Sequence, residues 1–371
     1  MPQISGKPRV HILVPTFQPN DAVGNDVAGM YAILREAGYR VTIFAEHIHH
    51  TLASITRKAD RNNEEYWRDS DAILIYHHAI LWELGEQILA GTRNKIVIKY
   101  HNVTPPEFFA NYAQHYYWAC IKGKEATARL AQIPDTLIWG DSQYNADEFV
   151  SLGVAPERCR VLPPVHKIED LAREPFDNVV LGAYRETPNI LFVGGLRPNK
   201  GHAKALEVLA ALQTETAVPA RLFFVGNFDP NLARYTEDLT EYVKHLDLVE
   251  DVTFAHSVTP AQLRSYYMTA SVFLCVSEHE GFCVPLVEAM AFRVPVAAWA
   301  TTAVKETAGG CGRMFDRFDP SELASAVAEF LESPETSREF AERGRARYEE
   351  VFHMRAIERK LLELVDEVAR Q

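Results

Sequence analysis

The 371-residue sequence is poor in cysteine, and what it has is unpaired in pattern. Cys120, Cys159, Cys275, Cys283 and Cys311 are scattered, odd in number and free of any Cys-x-x-Cys spacing. That excludes a disulfide framework and a thiolate zinc site, and fits reduced thiols in the cytosol. Long hydrophobic runs are missing too. No apolar stretch reaches about 18 residues, so no membrane-spanning helix is predicted. No signal-like apolar segment precedes the first strand-like run, so the expected location is cytoplasmic. Positive charge is in deficit, with 38 Lys and Arg against 50 Asp and Glu and a net charge of −12. A nucleic-acid partner is excluded on that balance, because neutralising phosphates takes clustered Lys and Arg. The deficit is uneven: residues 1–185 carry 19 basic and 22 acidic side chains, residues 186–371 carry 19 and 28. Peripheral membrane contact through the N-terminal domain therefore stays open, although no polybasic run marks it.

The chain is too long for one ordinary core and fits two domains. Its first half alternates apolar, β-rich runs (Val10–Val14, Val41–Phe44, Ala72–Tyr76, Ile96–Ile98, Thr136–Trp139) with helix-period stretches such as Asp26–Ala37 and Tyr117–Ala131. The second half repeats the scheme. Its strands are expected at Ile190–Val193, Arg221–Val225, Val252–Phe254, Val272–Cys275 and Val294–Ala298. Its helices are expected near His202–Gln213, Leu232–His245, Pro260–Met268 and Val284–Ala291. Strands apolar along their length, separated by amphipathic helices, signal parallel sheets covered on both faces. The fold class predicted is α/β, with two doubly wound, Rossmann-like parallel-sheet domains facing an interdomain cleft. Residues 1–165 would form the N-terminal domain and the proline-marked 166–188 the linker. Residues 189–352 would form the C-terminal domain, and 353–371 a helix that finishes it or crosses back to the first. Ligands of such sheets sit at the carboxyl ends of the strands.

The segment Ser277-Glu278-His279-Glu280-Gly281-Phe282-Cys283-Val284-Pro285-Leu286-Val287-Glu288-Ala289-Met290 is the strongest chemical signal. A buried strand ends, a glycine loop follows, and a helix opens near Pro285. That arrangement is an anion and ligand platform. Glu280 on the loop and Glu288 on the helix can hold two ends of one ligand. A second such loop is Val193-Gly194-Gly195-Leu196-Arg197-Pro198-Asn199-Lys200-Gly201: a strand, a glycine pair, two cations and a helix start. Arg and Lys make strong charge-assisted bonds to phosphate oxygens. The segment lacks the Gly-x-Gly-x-x-Gly of a dinucleotide fingerprint.

These motifs resemble those of the retaining GT-B glycosyltransferases of glycosyltransferase family 4. Their signature sets two glutamates in a Ser-x-x-Glu-Gly-Phe-Gly-x-Pro-x-x-Glu-Ala-Met context, which Glu280 and Glu288 match. The resemblance implies a GT-B fold and a retaining, metal-independent hexosyltransferase. It implies that Glu280 contacts the donor sugar, Glu288 the nucleotide ribose, and Arg197 and Lys200 the diphosphate. Gly194, Gly195, Gly281, Phe282, Cys283 and Val284 would line the donor. In the first half, Gly24 and Asn25 match the family's loop over the donor, and His101 matches its strand-end histidine that touches the transferred sugar. Ser142 matches a helix-opening serine and is most simply an N-cap. Cys283 departs from the family's usual Gly, Arg293 from another Gly, and the family's diphosphate Arg slot is Gly195, with Arg197 two positions on.

The implied substrates are a nucleotide-diphosphate sugar, GDP-mannose or UDP-hexose, and a saccharide or lipid-linked acceptor in cell-surface polysaccharide or glycoconjugate synthesis. No cofactor and no metal is expected. Asp69-Ser70-Asp71 has the spelling of a metal-binding Asp-x-Asp, but precedes an apolar strand where that motif follows one. His77-His78 can line an acceptor cleft or bind a metal; the former is preferred, since no acidic partner is placed in sequence. Two other classes stay open: a sugar-nucleotide epimerase of similar architecture, and a non-catalytic sugar-nucleotide-binding protein. The sequence leaves the oligomeric state undetermined.

Overall fold

The computed structural model describes residues 7–19, 21–60, 68, 71–184, 188–216 and 218–370. Asp69 and Ser70 lie outside the described residues. The chain divides into two compact units. One holds Met1–Val103, Trp118–His166 and Met354–Gln371; the other holds Thr104–Tyr117 and Lys167–His353.

In the first unit the elements run β1 (Arg9–Phe17), α1 (Ala22–Glu36), β2 (Arg40–Ile48), β3 (Thr56–Lys58), β4 (Ala72–His78), α2 (Glu83–Gly91), β5 (Lys95–Tyr100), α3 (Gln114–Leu130), β6 (Leu137–Gly140), α4 (Gln143–Ser151) and β7 (Cys159–Val161). They form a seven-stranded sheet ordered β3-β2-β1-β4-β5-β6-β7, parallel at every pairing described. Successive side chains of a strand face opposite sides. Ile12 and Ile75 accordingly pack on one face, Leu13 and Leu74 on the other. Every residue of β4 is buried, which explains its nearly continuous apolar run. The last helix, Met354–Arg370, buries Ile357, Leu361, Leu364, Val365 and Val368 in this unit. That stripe at i, i+4, i+7, i+8 and i+11 is one helix face, and each buried side chain contributes about 1.5–3 kcal/mol.

The second unit contains α5 (Ile168–Leu171), α6 (Asn178–Tyr184), β8 (Asn189–Val193), α7 (His202–Ala211), β9 (Arg221–Val225), α8 (Ala233–His245), β10 (Val252–Ala255), α9 (Pro260–Thr269), β11 (Val272–Cys275), α10 (Val284–Ala291), β12 (Val296–Trp299), α11 (Thr302–Ala308), β13 (Arg313–Phe315), α12 (Pro320–Glu332) and α13 (Pro334–Arg347). Its six-stranded sheet is ordered β10-β9-β8-β11-β12-β13, again parallel. Both sheets are therefore doubly wound, in the Rossmann-like manner. Strand order reverses between β1 and β4 in one sheet and between β8 and β11 in the other. Those are the switch points where doubly wound sheets bind ligands.

Two segments differ from the expected division. The proline-marked stretch read as a linker is folded: Ile168, Leu171 and Val180 are buried in the second unit's core. Its helices are too short to show a period. Thr104–Tyr117, which includes the first four residues of α3, also belongs to the second unit. Its aromatic side chains hold it there: Tyr116 donates to Asp229 Oδ2 at 2.8 Å and Tyr112 meets Tyr235 edge-on.

Candidate active site

In the second unit, the loops leaving β8 and β11 are bolted together at the switch point. The Asn199 carbonyl accepts from the Glu278 and His279 amides at 2.9 and 3.2 Å, and its side chain donates to the His279 carbonyl at 3.1 Å. Gly201 has φ of 78°, and a Cβ there would stand 2.1 Å from the Val276 carbonyl oxygen. Only glycine allows that approach.

Lys200 and Glu280 meet across this junction. The Lys200 ammonium reaches both Glu280 carboxylate oxygens, at 2.8 and 2.9 Å. Ser277 donates to Glu280 Oε1 at 2.8 Å, and the Glu280 amide donates to Thr302 Oγ1 at 3.0 Å. Glu280 is 7% exposed. Burial opposes the Lys200 charge, but the Glu280 carboxylate outweighs it and holds the ammonium above its ordinary range. The two family-matched loops thus place an anion and a cation side by side.

The helices that follow, α7 and α10, have no side-chain N-cap, whereas α9, α12 and α13 are capped by Thr259, Asp319 and Ser333. Uncapped first-turn amides are donors for an anion. Gly194 and Gly195 leave room in front of them. A Cβ on Gly195 would meet only the Asn227 carbonyl, at 3.5 Å, and one on Gly194 nothing closer than 3.8 Å.

Arg197 is placed differently from Lys200. It pairs with Asp229 at 3.5 Å and lies over the Tyr116 ring. Phe282 and Cys283 turn their side chains into the core, Phe282 against Phe352 and Cys283 Sγ 3.9 Å from Cys275 Sγ. Any contact they make with a donor is through backbone. Cys283 sits at φ 75°, a left-handed conformation that suits glycine, and Arg293 at φ 57° shares that feature. Gly281 precedes this turn and Val284 opens α10. Glu288 is half-buried and accepts from the Tyr267 hydroxyl at 2.5 Å; burial raises its carboxyl above the usual range, and that bond partly offsets it.

The first unit carries the other matched residues just after the carboxyl ends of β1, β5 and β6. Asp21 caps α1 by accepting from the Gly24 amide at 2.7 Å. A Cβ on Gly24 would stand 2.0 Å from the Gln18 carbonyl, so this glycine has an internal reason to be there. Asn25 Oδ1 is buried without a hydrogen bond. His101, after β5, bonds through Nδ1 to Asp141 Oδ2 and through Nε2 to His77 Nδ1, both at 2.9 Å. Ser142 is the N-cap of α4, bonded to the Asn145 amide.

His77 and His78 are both buried and line no open surface. His78 bonds Thr127, and burial lowers its pKa to about 3. Asp26, His77 and His101 bring three donor atoms within 4.8 Å, as a metal site would. The two rings, however, aim at each other. Their centroids are 5.1 Å apart for a 2.9 Å nitrogen separation, and their planes differ by 20°. Nitrogens and centroids therefore lie nearly on one line, the geometry of an imidazole–imidazole hydrogen bond.

Sequence reasoning did not single out Asn199, Thr302, Asp26, Lys99 or Asp141. The signal for Lys99 and Asp141 was present: polar residues at the carboxyl ends of otherwise apolar strands.

Residues 174–347 match the family model described as glycosyl transferases group 1. A D-inositol 3-phosphate glycosyltransferase of Acidothermus cellulolyticus is 30% identical over 208 residues, 53% of this chain and 45% of that protein. A GDP-mannose:cellobiosyl-diphosphopolyprenol alpha-mannosyltransferase of Xanthomonas campestris is 32% identical over 167 residues, 45% of this chain and 40% of that protein. The matched stretch thus spans less than half the length of either relative. Among solved structures, a sucrose-phosphate synthase of Thermosynechococcus elongatus aligns over 98% of this chain and 99% of its own, with a TM-score of 0.75 and 18% identity. The chain shares the two-sheet GT-B architecture of that solved structure, and its second unit, where the paired loops lie, carries the match to the group 1 glycosyltransferase model.

Proposed function

We propose that the protein is a retaining hexosyltransferase that takes its sugar from a nucleotide-diphosphate donor, with GDP-mannose the first candidate. The donor would be held by the second unit. The observation that carries this reading is the Lys200–Glu280 pair, set beside two uncapped helix starts and an open glycine pair at the β8/β11 switch point. An anionic diphosphate fits the amides and Lys200, and the sugar hydroxyls fit Glu280. Glu288 would take the ribose hydroxyls. Arg197 would leave Asp229 to reach the phosphates. GDP-mannose is favoured because it appears in the name of the Xanthomonas relative. The acceptor class, a saccharide or lipid-linked saccharide, rests on the same names.

In this mechanism the acceptor hydroxyl attacks the anomeric carbon on the face the nucleotide leaves. The new C–O bond forms as the C–O bond to phosphate breaks, and the departing phosphate oxygen takes the hydroxyl proton. The protein's contribution is electrostatic: Lys200, Arg197 and the helix-start amides stabilise the charge that develops on the diphosphate, with no metal required. His101 meets the transferred sugar by exchanging His77 for a sugar hydroxyl at Nε2. In the first unit, Asn25 Oδ1, buried and unbonded, would accept from the donor beside Gly24.

Steady-state kinetics of two variants test the assignment. Glu288→Ala should raise KM and spare kcat, since ribose contacts hold ground and transition states alike. Glu280→Ala should depress kcat. The reverse pattern would overturn the roles.

A further inference from the structure

The start of α11 breaks two local rules, and both departures face the Glu280 loop. Thr301 is the N-cap of this helix, yet its side chain makes no capping bond. A threonine in that place ordinarily accepts from a first-turn amide of its own helix. Here the Thr301 hydroxyl donates instead to the Ser277 carbonyl, at 2.7 Å. Thr302, the next residue, has φ of 41°. Among the described non-glycine residues of positive φ it is the β-branched one, and a branched side chain fits the left-handed region worst.

What the strained residue holds is Glu280. Thr302 Oγ1 accepts from the Glu280 amide at 3.0 Å, and the Ala303 amide donates to the Glu280 carbonyl at 3.4 Å. Both backbone groups of Glu280 are therefore tied to the first turn of α11. The carboxylate is reached from the same helix start, because Ser277, which Thr301 holds, donates to Glu280 Oε1 at 2.8 Å. Lys200 fixes it from the other side. Stapling a loop needs no strain: farther along α11, Thr307 donates to the Phe282 carbonyl at 2.7 Å from regular helix. Left-handed strain persists where the surroundings over-determine it, and it collects where an exact position matters.

We propose that Thr302 is a positioning residue for Glu280: its hydroxyl, held against the Glu280 amide on a left-handed backbone, sets where the Glu280 carboxylate meets the transferred sugar. The proposal rests on the reading of Glu280 as the residue that holds that sugar. Without the hydroxyl, the Glu280 amide loses its partner beside a residue only 7% exposed, and the loop shifts to find another. The carboxylate then meets the sugar from a changed position, and a misplacement of about 1 Å at a reacting centre can cost about 10²-fold. Thr302 itself touches no substrate. The hold on the nucleotide, assigned to Glu288 and the helix-start amides, stays as it is.

Thr302→Ser and Thr302→Ala form the test, because both remove the branching methyl group and they differ only in the hydroxyl. Turnover of GDP-mannose and of UDP-glucose, read as nucleotide released, is measured in the full-length protein. The set is wild type, both variants, Glu280→Ala and the Thr302→Ala/Glu280→Ala double variant, with urea denaturation to follow folding. Thr302→Ala should lower kcat about 10–100-fold with the donor KM little changed, and Thr302→Ser should recover most of that loss. In the Glu280→Ala background, Thr302→Ala should cost less than about threefold more, since a residue that acts through another adds little once that one is gone. Three kinetic results would overturn the proposal while Glu280 keeps its role: wild-type kcat in Thr302→Ala, a loss that serine does not recover, or the same loss repeated in Glu280→Ala. An unfolded Thr302→Ala protein assigns the hydroxyl to the fold and overturns it too. Wild-type kcat in Glu280→Ala sinks the sugar-contact reading itself, and release from neither donor by wild type sinks the donor reading; the proposal falls with either.

Discussion

Gly195→Ala separates what the fold needs from what a ligand needs. The added methyl group would meet only the Asn227 carbonyl at 3.5 Å, ordinary van der Waals contact, and Gly195 is not among the positive-φ glycines. At such a site Gly→Ala is neutral or stabilising by about 0.4–1 kcal/mol, because the unfolded chain loses freedom. The folded protein should therefore tolerate it. A diphosphate resting on this backbone would not. Forcing a phosphate oxygen away from the loop amides removes at least one charge-assisted bond, about 1.5–3 kcal/mol. Donor affinity should then fall roughly 10–150-fold, since 1.4 kcal/mol is about tenfold. Urea denaturation and calorimetric titration with GDP-mannose, UDP-glucose and their free nucleotides measure both quantities. Gly201→Ala is the contrast, because its methyl group collides with the Val276 carbonyl at 2.1 Å and φ is 78°; it should lose stability first. A Gly195→Ala protein that binds donor as wild type does would refute the claim that the open glycine pair receives the diphosphate.

Other predictions test single contacts. Arg197→Ala should lower kcat about 10²–10³-fold, as expected of a transition-state donor, and Arg197→Lys should recover little because the forked geometry is lost; steady-state kinetics decide. Breaking the Lys200–Glu280 pair by Lys200→Ala should cost stability beyond that of the Lys200→Ala/Glu280→Ala double variant, because a lone Glu280 stays buried; a denaturant double-mutant cycle showing no coupling would contradict the pairing. Glu288 has its carboxyl pKa raised by burial, so its ionisation opposes folding above about pH 4.5 and increasingly up to the raised value. Glu288→Gln should thus raise Tm at pH 7 and lose that advantage near pH 4. Cys283→Val should destabilise by about 1–3 kcal/mol, because a β-branched residue resists the left-handed conformation found there, while Cys283→Gly relieves it.

The long strands and their helices were legible because burial on both faces leaves an unbroken apolar run. Arg221–Val225, Val272–Cys275 and Val284–Ala291 coincide with their expected bounds. The three-residue edge strands Thr56–Lys58, Cys159–Val161 and Arg313–Phe315 were not legible, since three half-exposed residues carry no period. Nor was the chain's path: no local pattern assigns Thr104–Tyr117 to the second unit, because the aromatic contacts that hold it are long-range. At the site, the motif spacing named Glu280, Glu288 and Lys200. It could not show that Lys200 and Glu280 form a pair 80 residues apart, or that Arg197 rests on Asp229. His77 and His101 were noticed separately; Asp26 and Asp141, which join them, come from other elements and appear only when the sheet is assembled.

The most direct test of the central claim is calorimetric titration of the protein with GDP-mannose, UDP-glucose and ADP-glucose in EDTA, repeated with Glu288→Ala. One nucleotide-diphosphate sugar should bind saturably at one site per chain without a divalent metal, and Glu288→Ala should weaken that binding. Absence of binding by all three, or affinity in Glu288→Ala equal to wild type, would contradict a donor site built from the β8 and β11 loops.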